Sequence, residues 1–146
     1  MKTILVIVGA IVLFSQCMRD GLTPKSVSLN QATILQAKQS AILRTNIAAS
    51  NGLNIRVDSI QDSRCPKEVA CIWAGNAQVF FTTSKGQAVK SGTLCIGACG
   101  QLKTADTTQI ELSGMHYDII LQRVDPYPTQ TENQPAKTAR LFVRAR

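Results

Sequence analysis

Five cysteines, one histidine and nine carboxylates are the side chains of this 146-residue chain with the most chemistry in them. Four of the cysteines, Cys65, Cys71, Cys95 and Cys99, form an even set, which in an exported chain reads first as two disulfides. Three pairings are open. The expectation is the local one, Cys65 with Cys71 and Cys95 with Cys99, closing loops of seven and five residues counted inclusively. In the chain-entropy model each such loop contributes about 2 kcal/mol, and the crossed pairings would contribute more. The rival chemistry is a four-thiolate zinc site. Cys95 and Cys99 have ligand-like spacing, but Cys65 and Cys71 have five residues between them. Zinc knuckles usually have two to four, and an oxidising compartment opposes free thiolates. The absence of a Cys-x-x-Cys weighs against a thiol oxidoreductase. No metal ligand and no cofactor is expected.

His116 and Asp118 stand two apart on an alternating segment, so they share a face, as a base and its orienting carboxylate would. The nucleophile is missing, because no Gly-x-Ser-x-Gly elbow is present. Asp58, Asp62, Glu68, Asp106 and Glu111 are too dispersed to suggest a glycosidase pair or a calcium loop. There is no glycine-rich phosphate loop. The expectation is therefore a non-enzyme with no catalytic residues.

These residues sit behind an export signal. Met1-Lys2-Thr3 is a minimal basic start, and Ile4 to Phe14 is an unbroken apolar or small stretch. Eleven residues make a helix about 16 Å long, roughly half a bilayer core, which suits a signal peptide rather than a membrane span. Leu13-Phe14-Ser15-Gln16-Cys17 resembles the lipobox of bacterial lipoproteins, with Gln16 departing from the usual small residue. That resemblance implies cleavage after residue 16 and acylation of Cys17, which would hold the chain on a membrane by its acyl chains. The expected organisation is a signal over 1–16, a polar tether over 17–26 and one domain over 27–146. Cleavage leaves 15 basic and 9 acidic residues, a formal +6. The basic residues are scattered without aromatic interleaving, which argues for a solvated surface and against nucleic acid as a partner.

The domain reads as β throughout. Leu53, Ile55 and Val57 alternate with polar residues, as do Ala77, Val79 and Phe81; Ile110 and Leu112; Tyr117, Ile119 and Leu121; and Leu141 and Val143. Ile120 and Phe142 blur the polar faces of the last two runs. Thr33 to Ala49 fits two short strands, because no helix cap is visible and its β-branched residues favour extension. Asn51-Gly52, Lys85-Gly86, Ser91-Gly92 and Ser113-Gly114 carry turn chemistry. Residues 125–138 form a polar loop with three prolines, expected to be functional, disordered or a crossing between sheets. Together these predict an all-β fold, a single antiparallel β-sandwich of about seven strands with Ig-like architecture. The immunoglobulin Cys/Trp pattern is absent, since Cys71 and Trp73 lie too close together.

Around the first cysteine pair the chain runs Asp62-Ser63-Arg64-Cys65-Pro66-Lys67-Glu68-Val69-Ala70-Cys71-Ile72-Trp73-Ala74-Gly75-Asn76. This resembles a signature, Asp-Ser-Arg-Cys-Pro then Cys-x-Trp-Ala-Gly, of small uncharacterised bacterial envelope lipoproteins and secreted proteins. The likeness extends more weakly to Leu121 through Pro128. It implies an all-β domain and a cell-envelope address, periplasmic or at the cell surface, and brings no activity. Two readings of the loop are open. In one it is a staple, with Trp73 buried beside a disulfide and Arg64 paired with Asp58 or Asp62. In the other it is a binding loop in which Asp62, Arg64, Trp73 and Asn76, with Tyr127 as a second bet, meet a partner. Ala74 and Gly75 would let another chain approach closely. The expected function is a non-enzymatic binding or structural module. Its expected partners are the membrane, through the lipid anchor, and an envelope protein or cell-surface polymer. An inhibitor of an envelope enzyme and a cysteine-based metal or redox protein are the alternatives.

Overall fold

A computed structural model of the chain describes residues 24–45, 51–131 and 133–146. The signal segment, Cys17, the tether up to residue 23 and residues 46–50 lie outside the described residues. The alternating runs form β-strands, and no helix occurs among the described residues. In chain order the strands are β1 (Lys25–Ser28), β2 (Ala32–Gln36), β3 (Ser40–Arg44), β4 (Leu53–Asp62), β5 (Asn76–Lys85), β6 (Ala88–Cys99), β7 (Gln101–Lys103), β8 (Asp106–Leu112), β9 (Met115–Asp125) and β10 (Thr138–Ala145). They make two sheets, β1-β3-β4-β5-β6-β7 and β2-β10-β9-β8, antiparallel except where β1 runs parallel to β3.

The inward residues of the alternating runs form one core between the sheets. Ile55, Val57, Val79 and Phe81 from the larger sheet meet Tyr117, Ile119, Leu121 and Leu141 from the smaller, all fully buried or nearly so. Removing such side chains from water contributes roughly 1.5–3 kcal/mol each, the main term holding the sheets together. The sandwich is therefore the predicted fold, with β1, β6 and β7 added to the seven expected strands. β1 begins inside the segment read as tether.

Three local expectations change. Ser91-Gly92 is no turn. It lies inside β6, where Gly92 pairs with Phe81. The Phe81 ring covers Gly92 so closely that a Cβ there would meet Cζ at 2.7 Å. Ile120 and Phe142, which blurred two polar faces, pair with each other across β9 and β10 and are half-buried. The 126–137 connection joins neighbours in one sheet rather than crossing between sheets.

Two bulges shift the phase of the alternation. Val57 pairs with Phe81 and Ser59 with Phe80, so Asp58 is an extra residue in β4. Leu53, Ile55 and Val57 point inward before the bulge; after it the inward positions are Ile60 and Asp62, opposite Val79 and Ala77. In β9, Gln122 is the extra residue, and Val124 replaces the odd-numbered residues in the core. Both shifts act at the same end of the sandwich and aim Asp62 and Val124 into it.

Candidate functional site

That end is closed by a buried ionic cluster. Arg64 donates from Nε and Nη2 to Asp62 Oδ1 and Oδ2, each at 2.7 Å. The side chains are 7 % and 2 % exposed, respectively. Arg64 Nη2 also donates to the Val124 carbonyl at 3.0 Å, and the guanidinium lies 4.4 Å from the centre of the Tyr127 ring. Lys137 Nζ stands 3.2 Å from Asp62 Oδ2 and donates to the Pro126 carbonyl at 2.8 Å. Burial alone would raise the Asp62 pKa. The Arg64 hydrogen bonds and charge, with Lys137, outweigh it and hold the carboxyl below its usual range. Two cations and one carboxylate leave no free base, so the cluster's chemistry is cohesion.

Beyond Asp62 the ladder continues into the loop. Ser63 N donates to the Asn76 carbonyl at 2.8 Å, and Cys65 N to the Ala74 carbonyl at 2.9 Å. Gly75 makes this narrow neck possible with φ of 70°. The close approach expected at Gly75 is made by the chain's own Ser63 and Arg64 backbone. Cys65 bonds to Cys71 and Cys95 to Cys99, the local pairing. Asn76 Nδ2 donates to the Ala98 carbonyl at 3.2 Å and Ala98 N to the Gly75 carbonyl at 2.9 Å, which ties the two stapled segments together. Asp106 accepts from Cys95 N and from Lys103 Nζ. Although burial opposes its ionisation, these donors lower its pKa. The 126–137 connection buttresses the loop, with Lys67 N donating to the Pro128 carbonyl and Gln130 N to Glu68 Oε2.

The two readings of the loop are each half realised. Arg64 pairs with Asp62 as a staple requires, while Asp58 pairs with Arg56. Asp62, Arg64 and Asn76 hold the loop's base, and Tyr127 stacks on it at the edge. Trp73 is not buried beside the disulfide: it is 63 % exposed, and Ile72 is fully exposed. Leu102, in β7 beyond the second disulfide, is 80 % exposed and lines with Ala74, Gly75 and Tyr127 a groove of about 320 Å³. Ile72 and Leu102 were not singled out in the sequence. An apolar residue beside the only tryptophan was the available signal for the first, and nothing marked the second. Lys137 carried no local signal at all.

No family model, curated protein or solved structure matches this chain. His116 and Asp118 do not form a base and orienter. Asp118 is fully buried, and its Oδ2 accepts from Arg144 at 2.6 Å and Arg146 at 2.9 Å. Hydrogen bonds from Arg144, then from Arg146, hold its pKa below the usual value. With both disulfides formed, the four cysteines offer no thiolate to a metal. Reducing them should lower stability by about 2 kcal/mol per bridge. Denaturant titration with and without a reductant checks this, and Cys95→Ser with Cys99→Ser isolates the second bridge.

Proposed function

We propose that the chain is an envelope lipoprotein, cut before Cys17 and acylated there, whose sandwich is a non-enzymatic binding module presenting its stapled end. The observation that carries this reading is the contrast between a rigid base and an apolar tip. Single exposed apolar residues are ordinary. Here Val69 lies within the first disulfide loop, Ile72 and Trp73 just after it and Leu102 just after the second, so four exposed apolar residues gather at the stapled end. A pre-organised loop loses little conformational freedom on binding. The disulfides suit an oxidising, extracytoplasmic compartment.

Trp73→Ala with Ile72→Ser should change stability by less than about 0.5 kcal/mol, since both side chains are largely exposed. A loss like that of a core residue would return Trp73 to the staple. A photo-crosslinking side chain at position 72 should give adducts in intact cells. The same side chain at the exposed Val89, in the opposite half of β6, should give none. Equal labelling at both positions, or none, refutes a contact surface at this end. Intact mass separates out the anchor: a chain beginning elsewhere than at an acylated Cys17 removes that part of the proposal. The same rigid loop also suits inhibition of an envelope enzyme. Titration against envelope proteases and lysozyme-type hydrolases tests this, and absence of inhibition at micromolar concentration sets it aside.

A further inference from the structure

We infer that the stapled end seats in the headgroup region of the membrane that holds the anchor, with Ile72, Trp73 and Leu102 dipping below the lipid surface. This rests on the reading of Cys17 as the acylated residue. The direction of β1 is the first ground. Lys25 pairs with Ala41, and Ala41 with Ile55, while β4 runs on from Ile55 to Asp62 at the stapled end. Because β1 is parallel to β3 and β3 antiparallel to β4, the N-terminal end of β1 points toward the stapled loops. The opposite end, with the Lys85-Gly86 and Ser113-Gly114 turns, faces away.

Length is the second ground. From Ile55 to Asp62 the strand rises about 20–23 Å. The eight peptide steps from Cys17 to Lys25 reach at most about 28 Å. An anchor at Cys17 can therefore lie level with the stapled end; the far turns lie only two or three residues beyond Ile55, so the choice of end rests on the direction of β1 and on the side chains. β1 opens toward the stapled end, and the chain before it is long enough to let that end reach the lipid.

The side chains are the third ground. A tryptophan ring is amphipathic and prefers the membrane–water interface, and exposed isoleucine and leucine gain by entering the acyl boundary. A fluid bilayer demands no complementary shape, whereas a stable protein interface needs about 1,200–2,000 Å² of buried surface. Four projecting apolar side chains suit the first better. Lys67, Lys103 and Arg123 stand near anionic headgroups in this orientation. Glu68, Asp106 and Asp125 offset them, so the apolar residues carry the attachment and its salt dependence is shallow.

Trp73 is the only tryptophan and reports directly on the tip. The full-length mature chain, its Cys17 mass recorded, is placed in phosphatidylethanolamine–phosphatidylglycerol vesicles whose acyl chains are brominated near the glycerol. The expected result is a blue-shifted Trp73 emission, quenched by the brominated lipid and little changed by salt. In the unanchored chain mixed with the same vesicles, Ile72→Ser and Leu102→Ser should each weaken partitioning roughly tenfold. Their thermal midpoints should stay unchanged, because both side chains are exposed. With Cys17 acylated, an unquenched, water-like emission overturns the docking and leaves the anchor standing. If Cys17 is unmodified, the anchor fails, and quenching of the unanchored chain alone decides the tip: quenching upholds interfacial seating and its absence overturns it. A blue shift that follows protein concentration without lipid assigns the tip to a second copy of the chain and also overturns the inference.

Discussion

Asp62→Ala is expected to destabilise the domain by about 3–5 kcal/mol, the range for removing one partner of a buried ion pair. At this domain size that lowers Tm by roughly 10–20 °C. The reason is the company left behind. Arg64 is 7 % exposed and would keep only the Val124 carbonyl and the Tyr127 ring, with Lys137 beside it and no carboxylate between them. Asp62→Asn keeps the volume but not the charge and should fall between wild type and Asp62→Ala. Arg64→Ala made on top of Asp62→Ala should cost less than the two single losses added, because the second change removes a cation the first had stranded. A loss below about 1 kcal/mol for Asp62→Ala, measured by urea unfolding, would mean that water reaches the cluster.

The same carboxylate sets an acid limit. Asp62, Asp106 and Asp118 all have folded-state pKa values below the ordinary 3.8. A depressed folded pKa means that the unfolded chain binds protons first, so stability rises with pH through that interval. The contribution is complete above the unfolded value and is lost as pH falls through the folded ones. Stability should therefore be flat above about pH 5 and decline below about pH 4. In Asp62→Asn the slope of that decline should be shallower, by the proton Asp62 no longer takes up. An unchanged slope would show that the pair does not survive in solution.

Gly75→Ala is the second large effect, expected at about 2–4 kcal/mol. Two costs combine. An alanine resists the φ of 70° held by Gly75, and its Cβ would lie 1.9 Å from the Ser63 carbonyl oxygen and 2.8 Å from Arg64 Cα. Those atoms are backbone and cannot swing away as a side-chain end could. The neck must open, breaking the Ser63–Asn76 and Cys65–Ala74 hydrogen bonds. Hydrogen exchange should show lost protection at the Ser63 and Cys65 amides with the Ile55 and Val79 amides still protected. Protection lost evenly over β4 and β5 would mean that the neck has no separate stability. Because the change leaves Ile72 and Trp73 in place, it also asks whether the tip must be held rigid to work.

Much of the scaffold was legible along the chain. Period-two alternation marked the inward faces of β4, β5, β8, β9 and β10, and the Lys85-Gly86 and Ser113-Gly114 turns fell where they were expected. The short cysteine spacings made local pairing the natural reading. These properties reside in a few consecutive residues, so a chain can announce them before it folds. What escaped was decided by a partner elsewhere. Ser91-Gly92 looked like a turn because the Phe81 ring that covers it comes from another strand. Asp62, read along the chain as a loop residue, ends β4 and is turned inward by a bulge measured against β5. Lys137 reaches Asp62 from 75 residues away, with no pattern near either to announce it. Trp73 stays largely exposed because none of the described residues buries it. The sequence by itself determined a disulfide-closed β architecture, since cysteine spacing and alternation are local. Only the tertiary structure decided which end is sealed by charge and which side chains stay in water, because burial depends on what the rest of the chain brings alongside.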